Sequence, residues 1–480
     1  MNRIYLLCIA VLASWSALAD SDYPDNLQVK ECNFQVQGQW WNQSPTQGYP
    51  PLVVANNPTT GEPEFCEFYQ FSWDWMRYLV SPVSQDKFDE PRWQDQSLFP
   101  LLETRGTNSC DDSYPANALM VRSMKSMKDS SPFVLPERID QAFADAIYDQ
   151  NGNIVLYEIR FSQNLCDVTK IQSQPNFPGG TLEMKTAWRI LGDDEANSGN
   201  YYVMQAVIAE NSVERTQTLT LGLVGLHLAI SADNHPEMVW VTLEHQDNNP
   251  LCDDLGPTVT GGPWSFTSAS CAQTPSDCQF NQTVKAAGLT KTGLRTEICQ
   301  GYAHASKPDD RDYSLNTQLV NKLNSYIGGE DSIFAQQGTP ESLQVWKNYF
   351  VVGALWVSDV EKDSTPDNQR GSLQLANTVM ETQFQRDAPW GKGTMNCFEC
   401  HNYSGTKSNT SPSAFMSHIF DDIVKDIDAP PSPICPKPNY KGNVPVDGGS
   451  ITMCNAVCTP GKWTGGVKGH GLFATCECCP

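Results

Sequence analysis

Residues 64–80, EFCEFYQFSWDWMRYLV, place Glu67, Gln70, Asp74 and Arg77 on one helical stripe, and almost every other position is apolar or aromatic. A helix polar on so narrow a face is mostly buried. From about 138 to 250 the period changes. DQNGN (149–153) reads as a hairpin turn around Asn151-Gly152, and IVLYEIRF follows as a strand. TLEMKTAWRI (181–190) alternates, with Leu182, Met184, Trp188 and Ile190 on one face and Glu183, Lys185 and Arg189 on the other. YYVMQAVI, LTLGLVGLHLAI and EMVWVTLEH continue the pattern with short turns and no intervening helix, which predicts an antiparallel sheet or sandwich. Residues 251–312 are loop-rich and carry four cysteines. Helical spacing returns in SLNTQLVNKLNSYI (314–327), PESLQVWKNYFVV (340–352), LQLANTVMETQFQR (373–386) and PSAFMSHIFDDIV (412–424).

These patterns predict an α+β protein. An irregular and helical segment covers 20–137, an antiparallel β-rich region 138–312, and a helical subdomain 313–427. DAPPSPICPKP then marks a stiff Pro-rich linker over 428–438, before a small Gly- and Cys-rich module at 439–480, of the kind in which disulfides replace a core. No internal repeat or low-complexity tract is present.

The first 19 residues change the compartment expected. Arg3, an apolar run from Ile4 to about Leu12, and Ala17-Leu18-Ala19 read as a cleaved secretory signal. No apolar run reaches the length of a membrane span. The net charge is −23, and loss of Arg3 makes it −24. So acidic a chain repels nucleic acid and points to no partner of its own. Of the 17 cysteines, Cys8 would leave with the signal. Eight of the remainder precede residue 397 (Cys32, Cys66, Cys110, Cys166, Cys252, Cys271, Cys278, Cys299) and six follow residue 400 (Cys435, Cys454, Cys458, Cys476, Cys478, Cys479). Both groups are even, which suits disulfides on either side and leaves Cys397 and Cys400 for another chemistry. Parity also allows those two to pair with each other.

The stretch TMNCFECHNYSG (394–405) is the main chemical signal. A thioredoxin-type dithiol would open a helix after a strand in a βαβ setting, and no such pattern surrounds it. A structural zinc site would need further Cys or His ligands at similar spacing, and the other histidines are scattered. Haem c needs two thiols for its two vinyl groups and a histidine on the next residue to reach iron. Cys397, Cys400 and His401 meet that requirement, so the expected cofactor is one covalent haem c with His401 as proximal ligand. The sixth iron position stays open. Met380, His418 and His227 are the leading candidates, with Met416 and His245 behind them and a vacant or water-bound position equally compatible. EHQDN (244–248) clusters Glu244, His245 and Asp247. Adjacent strand residues face opposite ways, so a structural or haem-edge role is expected there. No GxSxG, P-loop or GxGxxG occurs, so acyl-transfer, NTPase and dinucleotide-binding readings lack support.

Several blocks carry a resemblance: FYQFSWDWMRYLV, YDQNGNIVLYEIRF, GTLEMKTAWRIL, LVGLHLAI, MVWVTLEHQDNNP, VWKNYFVVGALW, and LANTVMETQFQ followed by NCFECH. Over about 64–425 the chain resembles a group of exported bacterial mono-haem c-type proteins of unassigned activity. The resemblance implies that the β region and the haem segment form one functional body. MCNAVCTPGKWTGGVKGHGLFATCECC is similar to the mannan-binding cyanobacterial lectin module: Cys454, Cys458, Trp463, Gly465, Cys476 and Cys478 match its pattern, while Val467 stands where that pattern has a second Trp. This implies a mannose-type glycan as ligand, of low affinity because there is one copy. A small disulfide-stabilised cap with a buried Trp463 is the alternative.

The expected function is a periplasmic or secreted mono-haem redox protein, transferring electrons to or from a protein partner or small donor or acceptor, with no membrane span. A haem oxidoreductase with an open distal site, and a surface carbohydrate-binding or adhesive protein in which haem is secondary, are the alternatives.

Overall fold

The computed structural model describes residues 32–36, 38–42, 49–84, 90–101, 110, 146–167, 170–171, 174–210, 215–386, 395–407, 416–417 and 419–420, together with three C-terminal strands as backbone. The side chains of 207–217 and of the C-terminal strands lie outside this description. So do the segment expected to be a secretory signal, the expected Pro-rich linker and most of 412–424.

Seven antiparallel strands form the central sheet: β1 (Leu156–Phe161), β2 (Leu182–Ile190), β3 (Val203–Glu210), β4 (Arg215–Ala232), β5 (His235–His245), β6 (Tyr349–Val357) and β7 (Gln369–Gly371). The order is β1-β2-β4-β5-β6-β7, with β3 paired to the first half of β4. The turn at 149–153 precedes β1 as expected: Asp149 N donates to Asn153 O, and Gly152 supplies the positive φ of 81°.

Every residue of β5 is buried, so the sheet is covered on both faces. One face is covered by α1 (Phe65–Val80) and α2 (Tyr313–Ile327), whose Phe68, Trp73, Met76, Leu319 and Leu323 join Leu182, Met184, Leu226, Leu228 and Val241 in the largest apolar cluster. Thirteen of the sixteen residues of α1 are buried, as its narrow polar stripe requires. Phe68 stacks on Trp356 of β6 with ring centroids 4.3 Å apart. The opposite face meets loops instead of helices. Ala229, Trp240 and Val352 pack there with Phe398, Tyr403, Met416 and Phe420, while Tyr157, Ala187 and Val224 pack with Phe266, Val379 and Met380.

Two predicted helices do not form as predicted. Residues 341–344 make one α-helical turn that continues as a 3-10 turn over 345–348, and the chain then enters β6 at Tyr349. Tyr349, Phe350, Val351 and Val352 are aromatic or β-branched, and their place beside β5 decides the outcome over the helical spacing of Leu343 and Trp346. Residues 373–386 form turns, with one 3-10 turn at Thr382–Phe384. Their apolar side chains divide between two clusters, Leu375 in one and Val379 and Met380 in the other. Asn377 and Thr378 spend their hydrogen bonds on β5. Met380 is therefore not on a helix, and the helix predicted over 373–386 does not form.

Strands β6 and β7 come from the segment expected to be helical, so both halves of the chain build one sheet. All eight upstream cysteines are in disulfides, Cys32–Cys66, Cys110–Cys166, Cys252–Cys299 and Cys271–Cys278. In the C-terminal module, β8 (Asn439–Pro445), β9 (Trp463–His470) and β10 (Phe473–Cys478) form a second antiparallel sheet in the order β8-β10-β9. Among the described residues no helix is long and apolar enough to cross a membrane.

Candidate functional site

Cys397 and Cys400 bound one helical turn, α3 (Cys397–Cys400), and are the two described cysteines outside any disulfide. Asn396 fixes this turn. Its side-chain oxygen accepts from Phe398 N at 3.0 Å, and its amide donates to Gln369 Oε1 at 2.7 Å and to Leu373 O at 2.8 Å. The turn is thereby capped and tied to the end of β7. Phe398 is 1% exposed and drives the turn into the apolar layer beneath. Downstream, Tyr403 OH donates to Val360 O at 2.6 Å, and Tyr403 N to Ser364 Oγ.

Burial pushes the Cys397 thiol well above its ordinary value, and the nearby charge of Glu381 adds to the rise. A thiol held protonated in this way is unlike the low-pKa nucleophile of a redox dithiol.

His401 follows the turn. Its Nδ1 lies 2.6 Å from Met416 O. A carbonyl only accepts, so Nδ1 is the protonated nitrogen and Nε2 carries the lone pair. A backbone carbonyl behind one nitrogen is the usual way a metal-ligating imidazole is oriented. Trp240 of β5 packs on the His401 ring at 4.5 Å between centroids and edge-on to Phe398 at 6.2 Å. Trp240 is 8% exposed, and its indole N–H has no hydrogen-bond partner. Two tethered thiols, an imidazole with fixed tautomer and an orphaned buried donor beside it suit a haem group carrying two carboxylates. Among the described residues no group of three or more His, Cys, Asp or Glu is placed to hold a metal ion, so any iron here would be held chiefly by the porphyrin.

The sheet adds polar groups to this face. Lys185, His227 and Thr242 are cross-strand neighbours on β2, β4 and β5. Gly225 precedes His227 on the same face, and a Cβ there would lie 2.9 Å from both Asn377 Oδ1 and Val379 Cγ2. The missing side chain lets the loop 377–381 lie flat on β4. That loop brings Glu381 to His227, with Nε2 donating to Oε2 at 2.8 Å. Burial pushes the Glu381 carboxyl up, but the charge and hydrogen bond of His227, helped by Lys185 and Asn377 N–H, outweigh it and hold the carboxyl below its ordinary value. Nearby, Ser417 hydrogen-bonds Glu183 of β2 and so docks the segment that carries Met416.

The remaining candidates are dispersed. Met380 is fully buried in the cluster with Ile147, Val155, Tyr157 and Phe266, away from the cluster that Cys397 joins. Met416 is buried on the side where its carbonyl meets His401. His418 lies outside the described residues. His245 points to the opposite face from Glu244. It donates from Nε2 to Asn200 O at 2.9 Å and stacks on Tyr201 at 4.2 Å. Burial lowers its pKa. Glu244 accepts Thr378 N–H at 2.7 Å and the Thr378 hydroxyl. Asp247 N donates to His245 Nδ1. These are structural roles. Trp463 pairs with Cys478, and Val467 with Cys476, across β9 and β10. Gly465 lies between them on β9, and their side chains lie outside the description.

The sequence does not mark Trp240, Glu381 or Asn396 as site residues, and it marks Lys185 only as part of the polar face of 181–190. The alternation in EMVWVTLEH marks Trp240 as facing opposite to Val239 and Val241, but only the tertiary fold brings His401 to it. Comparison of the chain with protein-family models, with curated proteins and with solved structures returned no match.

Proposed function

We propose that this is an exported c-type haem protein, with Cys397 and Cys400 forming the two thioethers and His401 binding iron through Nε2. The observation that carries this reading is a contrast. The eight upstream cysteines are oxidised in pairs, while the two in CFECH stay apart on one turn, ahead of a histidine whose Nδ1 is committed to Met416 O. A haem held in this way supplies one-electron chemistry at iron, ferric to ferrous.

The chain's own residues set the conditions. Met416 O keeps the His401 imidazole in one orientation and makes it more basic. Trp240 and Phe398 exclude water from its side and keep the local dielectric low. Electron transfer to a protein partner or small donor or acceptor is the activity this arrangement supports. The four disulfides suit an oxidising compartment, periplasmic or extracellular, where c-type haem is attached. The pattern around Trp463 and Gly465 supports glycan binding as an accessory role of residues 439–480.

The test is a pyridine haemochrome spectrum of protein exported from a host competent for cytochrome c maturation, beside Cys397→Ala/Cys400→Ala. One covalent haem of c type in the wild type, absent from the variant, is expected. No covalent haem in the wild type would overturn the reading.

A further inference from the structure

The sixth position of the iron can be argued from what each candidate side chain is already doing. Met380 is committed to an apolar cluster that Cys397 does not join. Met416 presents its carbonyl to His401 Nδ1, which puts it behind the proximal imidazole. His245 lies on the other face of the sheet, bonded to Asn200 O and stacked on Tyr201.

His227 differs from all three. It stands on the sheet face that carries Trp240. Ala229, two residues along β4, is the cross-strand partner of Trp240, so His227 lies about 7 Å along the strand from the point where His401 docks. His227 Nε2 donates to Glu381 Oε2, and a carboxylate only accepts, so whenever the ring is neutral its lone pair lies on Nδ1. No hydrogen bond reaches that Nδ1 among the described residues. Glu381 is itself held by Asn377 N–H at 3.0 Å, and Asn377 is anchored to Thr242 Oγ1 and Leu243 O. The side chains of His227 and Glu381 are 17% and 14% exposed. His227 thus has one nitrogen tied to a carboxylate and the other open as a donor atom, the state in which protein imidazoles bind metals.

We propose that His227 is the second axial iron ligand, binding through Nδ1, with Glu381 as the carboxylate that fixes its tautomer. The proposal rests on the haem reading above. It makes the site a six-coordinate bis-histidine centre, built for electron transfer and closed to added ligands.

The test uses the holoprotein, with covalent haem measured by haemochrome in every sample. The wild type is expected to be low-spin in both oxidation states and indifferent to carbon monoxide. His227→Ala is expected to become high-spin, to bind carbon monoxide when reduced, and to return to low-spin on addition of imidazole. His227→Met guards against failure of the alanine variant to fold, and is expected to stay six-coordinate with a raised midpoint potential. Glu381→Gln is expected to remain low-spin with a raised potential, because a neutral amide makes the imidazole a weaker donor. Met380→Leu and His418→Ala are expected to match the wild type. A high-spin wild type, or a low-spin His227→Ala that ignores carbon monoxide, would overturn the assignment while leaving the haem reading intact. Absence of haem from the wild type would instead remove the haem reading, and this proposal with it.

Discussion

Glu244 offers a quantitative test of the sheet face beneath the candidate site. It is 1% exposed. Oε1 accepts Thr378 N–H at 2.7 Å, Oε2 meets the Thr378 hydroxyl, and the Asn248 amide lies 3.5 Å away. Burial is the largest influence. Against these hydrogen bonds and the charge of His227, it raises the carboxyl from 4.5 to about 7. Between those two values the folded protein holds a proton that the unfolded chain has released. The stability linked to this group is therefore fully present below about pH 4.5, declines as pH rises, and levels off above about pH 7. At about 1.4 kcal/mol per pH unit, the whole interval corresponds to roughly 3 kcal/mol. Glu244→Gln has the shape of the protonated acid. Its amide oxygen can accept Thr378 N–H, and its NH₂ can donate to Thr378 Oγ1, whose hydroxyl already lies 2.8 Å from Asn249 Oδ1. Denaturant unfolding of both proteins, disulfides intact, followed by tryptophan fluorescence from pH 5 to 8, reads the difference directly. The variant should gain about 2–3 kcal/mol on the wild type across that range. A difference that stays constant with pH would refute the reasoning.

Three further outcomes follow from the site's construction. Gly225→Ala puts a Cβ 2.9 Å from Asn377 and Val379; it should cost about 1–3 kcal/mol in the same unfolding assay and loosen the Glu381–His227 contact. Asn396→Ala removes the cap of α3 and two bonds that tie it to Gln369 and Leu373, a loss of about 2 kcal/mol in unfolding free energy. For the C-terminal module, the full chain should be retarded on immobilised mannan, and both Trp463→Ala and a chain ending before residue 438 should elute unretarded; equal elution of all three would remove the glycan role.

The sequence was legible where one physical rule acted alone. The narrow polar stripe of 64–80 made a buried helix, and alternation from 156 to 245 made strands. Even cysteine numbers upstream of Cys397 matched four bridges. It was illegible where two packing partners divided a segment. Leu375, Val379 and Met380 have helical spacing, yet they serve two clusters on one sheet face, so 373–386 runs as turns. Tyr349–Val357 is covered on both sides and shows no alternation to distinguish it from a buried helix. The pattern Cys397, Cys400 and His401 stands out in the sequence because its spacing is local. Trp240 and Glu381 do not, because they reach it only through sheet register and a loop whose path depends on Gly225.

The order of the strands also bears on how the protein is made. His245 of β5 pairs with Tyr349 of β6, although residues 246–348 lie between them in the chain. Closing so long an excursion is slow on entropic grounds, and the Cys252–Cys299 bridge, with a sequence separation of 47, shortens it. Oxidation of that pair is therefore expected to speed the docking of β6. The apolar layer that receives Phe398 is completed only by that docking, since Trp240 of β5 and Val352 of β6 both belong to it. The CFECH turn is consequently expected to find its seat late in folding. Until then its two thiols would stand exposed beside the eight cysteines that are paired in the folded chain. A Cys397 captured by one of those sulfurs before β6 docks could not take its place on the turn beside Phe398.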